Sequence, residues 1–243
     1  MAYLYALTRE NYEDLSSGGV LRSAPGYPAF PVRLASEIFQ RAAAFGPGGP
    51  VSVWDPCCGS GYLLTVLSFL HRRDITGVLG TDLDPAALAL AQQNLDLLSE
   101  HGLDARSAEL RERAERLHKP AYLDTAAAAQ RLGPRLAGQG GALPHTVAQA
   151  DVLDPEQLRR ALSGHRPELV MTDVPYGDQT SWGGPNGAAG IAGMLRALET
   201  VLDDDAVIAV ATRGRKVRVD DGPRPIASFR IGARAVAFFR PGS

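Results

Sequence analysis

Short strand-like runs alternate with helical patterns along most of this chain, and that rhythm restricts the fold more than any other feature. "VSVWD" (51–55) reads as a buried strand, and "GYLLTVLSFLHRR" (61–73) carries apolar residues at helical spacing. "GVLGTDL" (77–83) reads as a second strand. Asp84 then supplies a helix N-cap and Pro85 the first helical position, with "AALALAQQNLDLL" behind them. "HTVAQAD" (145–151), "ELVMTD" (168–173) and "AVIAVAT" (206–212) are further strands, with helices expected near 155–163 and 188–202. Alternation of this kind predicts a mostly parallel sheet with helices on both faces. "ASFRIGARAVAFFR" reads as a hairpin bent at Gly232, which adds antiparallel strands at the sheet edge.

The rhythm breaks between residues 102 and 144, where "AELRERAERLH" and "DTAAAAQRLGPRLAG" read as two helices with charged outer faces. An α/β connection normally takes ~2–6 residues. The stretch is therefore an insertion on one domain spanning 1–243, which also carries an N-terminal extension, 1–50. That extension ends in an amphipathic helix starting near Pro31, with Arg22, Tyr27 and Phe30 in the part before it, read as flexible.

Composition sets limits. No apolar run approaches the ~18 residues that spanning a bilayer requires. The N-terminus lacks the basic-then-apolar order of a signal peptide. Cys57 and Cys58 are adjacent and read as reduced thiols in a cytoplasmic protein, and a monomer with no membrane partner is expected. The net charge of −2 argues against a generic polyanion binder. Yet residues 212–243 hold eight basic and two acidic side chains, and 23 of the 25 basic residues are arginine, a planar phosphate-binding group. Arg213, Arg215 and Lys216 are the candidate RNA contacts in that region.

Two stretches carry chemistry. In "WDPCCGSGYLL" a Gly-rich turn joins a strand to a helix, so that the backbone can approach a ligand closely. Asp82 ends the next strand, 21 residues after Gly61, where a carboxylate can accept both ribose hydroxyls. A dinucleotide fingerprint would need a third glycine where Leu64 stands. A carboxylate at Asp55, beside the turn, suits a cation better than a pyrophosphate. The second stretch is "TDVPYGDQTSW", a strand end that continues into a carboxylate, a proline and an aromatic.

The pattern Asp-x-x-x-Gly-x-Gly followed by a strand ending in Asp82 resembles the class I S-adenosylmethionine-dependent methyltransferases, over roughly residues 50–240. The resemblance implies a Rossmann-like sheet and S-adenosyl-L-methionine as cofactor. It implies Asp55, Cys57, Gly59 and Gly61 along the methionine part, Asp82 and Leu83 at the ribose, and Asp151 at the adenine, where a turn cap is the other reading of Asp151. No metal site is implied.

"TDVPYG" resembles the Thr-Asp-Pro-Pro-Tyr-Gly strand end of RNA guanine-N2 methyltransferases, with Val174 in place of the first proline, a change expected to loosen the backbone. On that resemblance Asp173 and the Val174 carbonyl orient an exocyclic amine, Pro175 fixes the chain and Tyr176 stacks on the base. Catalysis is then mostly orientation and desolvation rather than proton abstraction. An amine inside a duplex is out of reach, so the target base must be flipped out. Trp182 either stacks on a neighbouring base or packs beneath its loop. The chain as a whole resembles the guanine methyltransferases of 23S ribosomal RNA that give resistance to avilamycin-type antibiotics, which implies large-subunit RNA as partner. Left open are methylation of a protein glutamine amide, methylation of DNA adenine at N6, and a non-catalytic RNA-binding protein.

Overall fold

The computed structural model describes residues 3–8, 10–174, 182, 187–220 and 222–242. Seven strands form one sheet in the order β3-β2-β1-β4-β5-β7-β6. Strands β1 (Val51–Asp55), β2 (Ile75–Asp82), β3 (His145–Gln149), β4 (Leu169–Asp173) and β5 (Val207–Arg213) are parallel. β6 (Ala227–Ile231) and β7 (Arg234–Phe239) form the expected hairpin, and β7 runs antiparallel to β5. Gly232, at φ +60°, makes the bend in a conformation that a side chain disfavours.

Successive strand residues point to opposite faces, and both faces are apolar. Val51 and Val53 of β1, with Val207, Ala209 and Ala211 of β5, join one buried cluster with α1 (Val32–Ala43), α2 (Tyr62–Leu70) and α3 (Pro85–Leu95). Trp54, Ile208 and Val210 point the other way, to α6 (Pro155–Leu162) and α7 (Gly190–Glu199). Asp84 caps α3 as its sequence predicts, its carboxylate accepting from the Ala86 N–H at 2.9 Å.

The stretch between α3 and β3 holds two antiparallel-packed helices, α4 (Glu100–Leu117) and α5 (Ala121–Ala137). They carry the N-terminal segment. Buried Arg106 of α4 donates to the carbonyls of Val20 (3.1 Å) and Gly19 (2.9 Å), and Leu132 and Leu136 of α5 share a core with Leu15 and Leu21. No helix among the described residues is long and apolar enough to cross a membrane.

The strand order reverses between β1 and β4. In an open α/β sheet this is where a crevice opens at the carboxyl ends of the strands. Asp55 ends β1 and Asp173 ends β4, one on each side of it.

Candidate active site

Two hollows lie above the switch point and share Cys57 and Asp82 as a common wall. Their volumes are about 240 and 220 Å³. Neither alone reaches the ~300 Å³ at which small-molecule sites begin, but together they pass it. The first is lined by Asp55, the Gly59 turn, Asp173 and Val174, and by Tyr27 and Phe30 from the N-terminal segment. The second is lined by Leu83, Asp151, Val152, Leu153 and Trp182.

The Gly-rich turn is built by backbone geometry. Gly59 (φ +52°) and Gly61 (φ +69°) adopt left-handed conformations. A Cβ on Gly61 would come within 3.0 Å of Ala91 Cα, so α2 and α3 pack this closely only because residue 61 is glycine. Leu64, at the third position of the dinucleotide pattern, is fully buried over Gly80 of β2, where a Cβ would lie 3.4 Å from Leu64 Cδ1. The small residue is on the strand and the large one on the helix. A lone strand glycine carries little signal, so Gly80 does not stand out in the sequence.

Asp82 holds the turn. Its Oδ2 accepts from the Gly59 N–H at 2.8 Å and its Oδ1 from the Asp84 N–H at 3.0 Å, while burial raises its pKa. Asp55 is buried at 2% exposure. Burial raises its pKa to about 7, opposed by the Thr172 hydroxyl and by the Cys57 N–H, which donates to it at 3.1 Å. Nearby Asp82 and Asp173 push it the same way as burial. Burial also pushes the Cys57 thiol well up, so it stays neutral. Asp151 caps a turn, its carboxylate accepting from Leu153 N–H at 2.9 Å, and it also lines the second hollow. The cap of α6 itself is Asp154.

Asp173 lies across the crevice. Burial raises its pKa to about 6 against the pull of Arg234, which pairs with it, and of Arg213. Val174 corrects an expectation. Its N–H donates to the Ala211 carbonyl at 3.1 Å and its side chain is buried. This extends the β4–β5 ladder one residue beyond Asp173, through a donor that proline lacks. The valine therefore restrains the strand end instead of loosening it. Pro175 and Tyr176 lie outside the described residues.

The part before α1, read as flexible, also departs from expectation. Helix α1 packs on α2, β4 and β5, and it is the strap before it that walls the crevice. That strap is tied down. Arg22 pairs with Glu109 at 2.5 Å, and its backbone N–H donates to Asn94 Oδ1 at 2.7 Å. Tyr27 Oη donates to Asp84 Oδ2 at 2.5 Å, which raises the phenol pKa to about 12, and its ring lies over Gly59. Phe30 is buried. Trp182 packs on the α6–α7 core and faces the second hollow beside Leu83 and Asp151. Arg213, Arg215 and Lys216 are exposed where β5 ends, and Arg213 is close enough to Asp173 to draw its pKa down.

Comparison with known proteins narrows what this crevice serves. Residues 1–234 match the family model of the rRNA methyltransferase AviRa. The chain belongs to that family. It is 53% identical over 240 residues to the 23S rRNA (guanine(2535)-N(1))-methyltransferase of Streptomyces viridochromogenes, covering 98% of this chain and 96% of the relative. It superimposes on a solved structure of the rRNA methyltransferase aviRa from the same organism with a TM-score of 0.91, at 53% identity, covering 99% of this chain and 97% of the other. A second structure of that protein gives the same TM-score at 51% identity.

For this AviRa-family chain, the glutamine-amide, DNA-adenine and non-catalytic readings give way to an rRNA methyltransferase. The expected exocyclic N2 target is corrected too, because the relative acts at N1. N1 and N2 are neighbours on one edge of guanine. The strand-end motif therefore could not separate them.

Proposed function

We propose that this protein transfers a methyl group from S-adenosylmethionine to N1 of a guanine in 23S ribosomal RNA. The observation that carries the proposal is the largely enclosed Asp173 carboxylate, facing the Gly59–Gly61 turn across the switch point.

The first hollow suits the cofactor. It sets Asp55 and Asp82 along one side, and burial leaves Asp55 half-protonated near neutrality. A group that carries an ammonium and a sulfonium compensates such a set. Asp55, Cys57, Gly59 and Gly61 would hold the methionine part, Asp82 and Leu83 the ribose, and Asp151 with Trp182 the adenine end. When bound, the cofactor supplies an activated methyl: guanine N1 bonds to the methyl carbon, the carbon–sulfur pair returns to sulfur, and the N1 proton leaves.

That proton changes what the chain must do. N1 of neutral guanine carries a hydrogen, and its lone pair is delocalised into the ring. Orientation alone is therefore insufficient, and a base is needed. Asp173 is ionised above about pH 6, is held in place by the Val174–Ala211 bond, and takes the proton. Tyr176 stacks on the flipped base, while Arg213, Arg215 and Lys216 bind phosphates beside it. Residues 1–243 act as one domain, in which the 1–50 extension walls the crevice and the insertion near 102–144 ties that extension down. A methyl on N1 removes a hydrogen-bond donor from the base, and we propose that this reduces sensitivity to an avilamycin-type antibiotic.

The test is transfer of labelled methyl from S-adenosylmethionine to 23S RNA, DNA and free protein in parallel, followed by nucleoside digestion. The product expected from RNA is 1-methylguanosine. Label only in DNA or protein, or only in N2-methylguanosine, sinks the proposal.

A further inference from the structure

Asp173 and its partner come from strands that are not neighbours. Asp173 ends β4, Arg234 begins β7, and β5 lies between them. Both side chains are largely buried, at 15% and 7% exposure. The guanidinium also lies over the Phe30 ring, its carbon 4.5 Å from the ring centroid. The strap, β4 and β7 thus meet at one planar group. An ion pair in such a place contributes little to folding, since dehydrating two charges largely offsets their attraction. What it does supply is direction. A planar guanidinium seated on a ring restricts how a carboxylate bonded to it can turn.

We propose that Arg234 is a positioning residue for methyl transfer: stacked on Phe30, it engages Asp173 Oδ1 and so aims the other carboxylate oxygen at the acceptor base. This rests on Asp173 as the proton acceptor. Arg234 acts through Asp173. Removing it releases the carboxylate to rotate and takes away the nearest positive charge. The charged and titratable groups that face Asp173 are Arg234 from β7, Arg213 from β5 and Asp55 from β1, with the Cys57 thiol in the turn beyond. A saturating cofactor cation keeps Asp55 ionised, so measurements are made at saturation.

The experiment is single-turnover methylation of 23S RNA from pH 5 to 9 by the wild type, Arg234→Gln, Arg234→Lys and Asp173→Asn, with cofactor affinity measured alongside. Arg234→Gln should move the acid limb of the pH–rate profile up by ~1 unit or more, as loss of an opposite charge requires. Arg234→Lys keeps the charge but not the fork. Its acid limb should stay in place while its plateau falls ~10–100-fold, the effect of a misdirected group. Cofactor affinity should be unchanged in both. A wild-type limb and plateau in both Arg234 variants, with Asp173→Asn inactive, overturns the positioning role and leaves the base assignment standing. Asp173→Asn at the wild-type rate overturns the base assignment, and the positioning role with it. If Arg234→Gln does not fold, Arg234→Lys decides alone: a lowered plateau with an unmoved limb supports the proposal, and a wild-type plateau overturns it.

Discussion

Asp55 and Asp173 sit on adjacent strands, on opposite sides of one crevice, and the protein treats them differently. Asp55 has a hydroxyl and a backbone N–H beside it but no cation among the described residues, and burial carries it to about pH 7. Asp173 is nearly as enclosed, yet Arg234 and Arg213 hold it to about 6. One side of the site carries an unmet charge that the proposed cofactor's cation would meet. The other is complete by itself and keeps its negative charge ready. A cofactor pocket gains selectivity from an unmet charge, whereas a base must be ionised before its substrate comes.

The comparison breaks most directly at Asp173. Asp173→Asn keeps the shape and removes the base, so single-turnover methylation at pH 7 should fall by ~10²–10⁴-fold. Cofactor affinity by calorimetry should stay within about twofold, since this side is proposed to serve only the acceptor. A cofactor defect as large as the rate defect would mean that the two sides are one.

Asp55→Asn should show the reverse: ~10–100-fold weaker cofactor binding, the range for removing a charge-assisted hydrogen bond. It also sharpens the pH dependence. The folded pKa of Asp55 lies above its unfolded value, so its contribution to stability is full below about pH 4 and is lost as pH rises through about 7. Free wild-type protein should therefore melt lower at pH 8 than at pH 5 from this group. The rise in melting temperature on adding S-adenosylmethionine should grow over the same interval. In Asp55→Asn both trends should flatten, and scanning calorimetry across pH reads them together.

Neutralising Arg213, Arg215 and Lys216 tests whether the acceptor side extends outward as an RNA surface. The slope of log affinity against log salt should fall by about one unit for each phosphate no longer neutralised. An unchanged slope would confine the acceptor side to Asp173 and its partners. The smallest effect is expected at Tyr27→Phe, which removes only the phenol bond to exposed Asp84. Cofactor release in stopped flow should quicken a few-fold, with the chemical step unchanged.

The same two sides differ in how far the amino-acid sequence discloses them. Asp55, Gly59, Gly61 and Asp82 lie within one strand–turn–helix–strand unit. Their spacing is local, so it could be read directly, and so could the Asp84 cap. The acceptor side draws on residues that no spacing connects. Arg234 reaches Asp173 from 61 positions away, through an antiparallel register that becomes visible only once β5 and β7 are paired. Phe30 joins them from a strap whose course depends on α4 and α5. The misreading of Val174 has the same origin: its N–H matters because the Ala211 carbonyl is opposite, and nothing nearby in the chain says so. N1 rather than N2 was beyond reach, since the two atoms are neighbours on one edge of guanine.

The strand order also has a consequence in time. A chain leaves the ribosome from its N-terminus, and structure forms as it emerges. Every residue proposed for the methionine and ribose ends lies before position 84, and the adenine wall is nearly finished by Leu153. The guanidinium that directs Asp173 is at position 234, on a strand that must insert between β5 and β6. An unfinished chain can thus acquire its cofactor pocket long before it has a directed base. A chain that stops short of β7 should bind S-adenosylmethionine while leaving RNA, including that of the ribosome making it, unmodified.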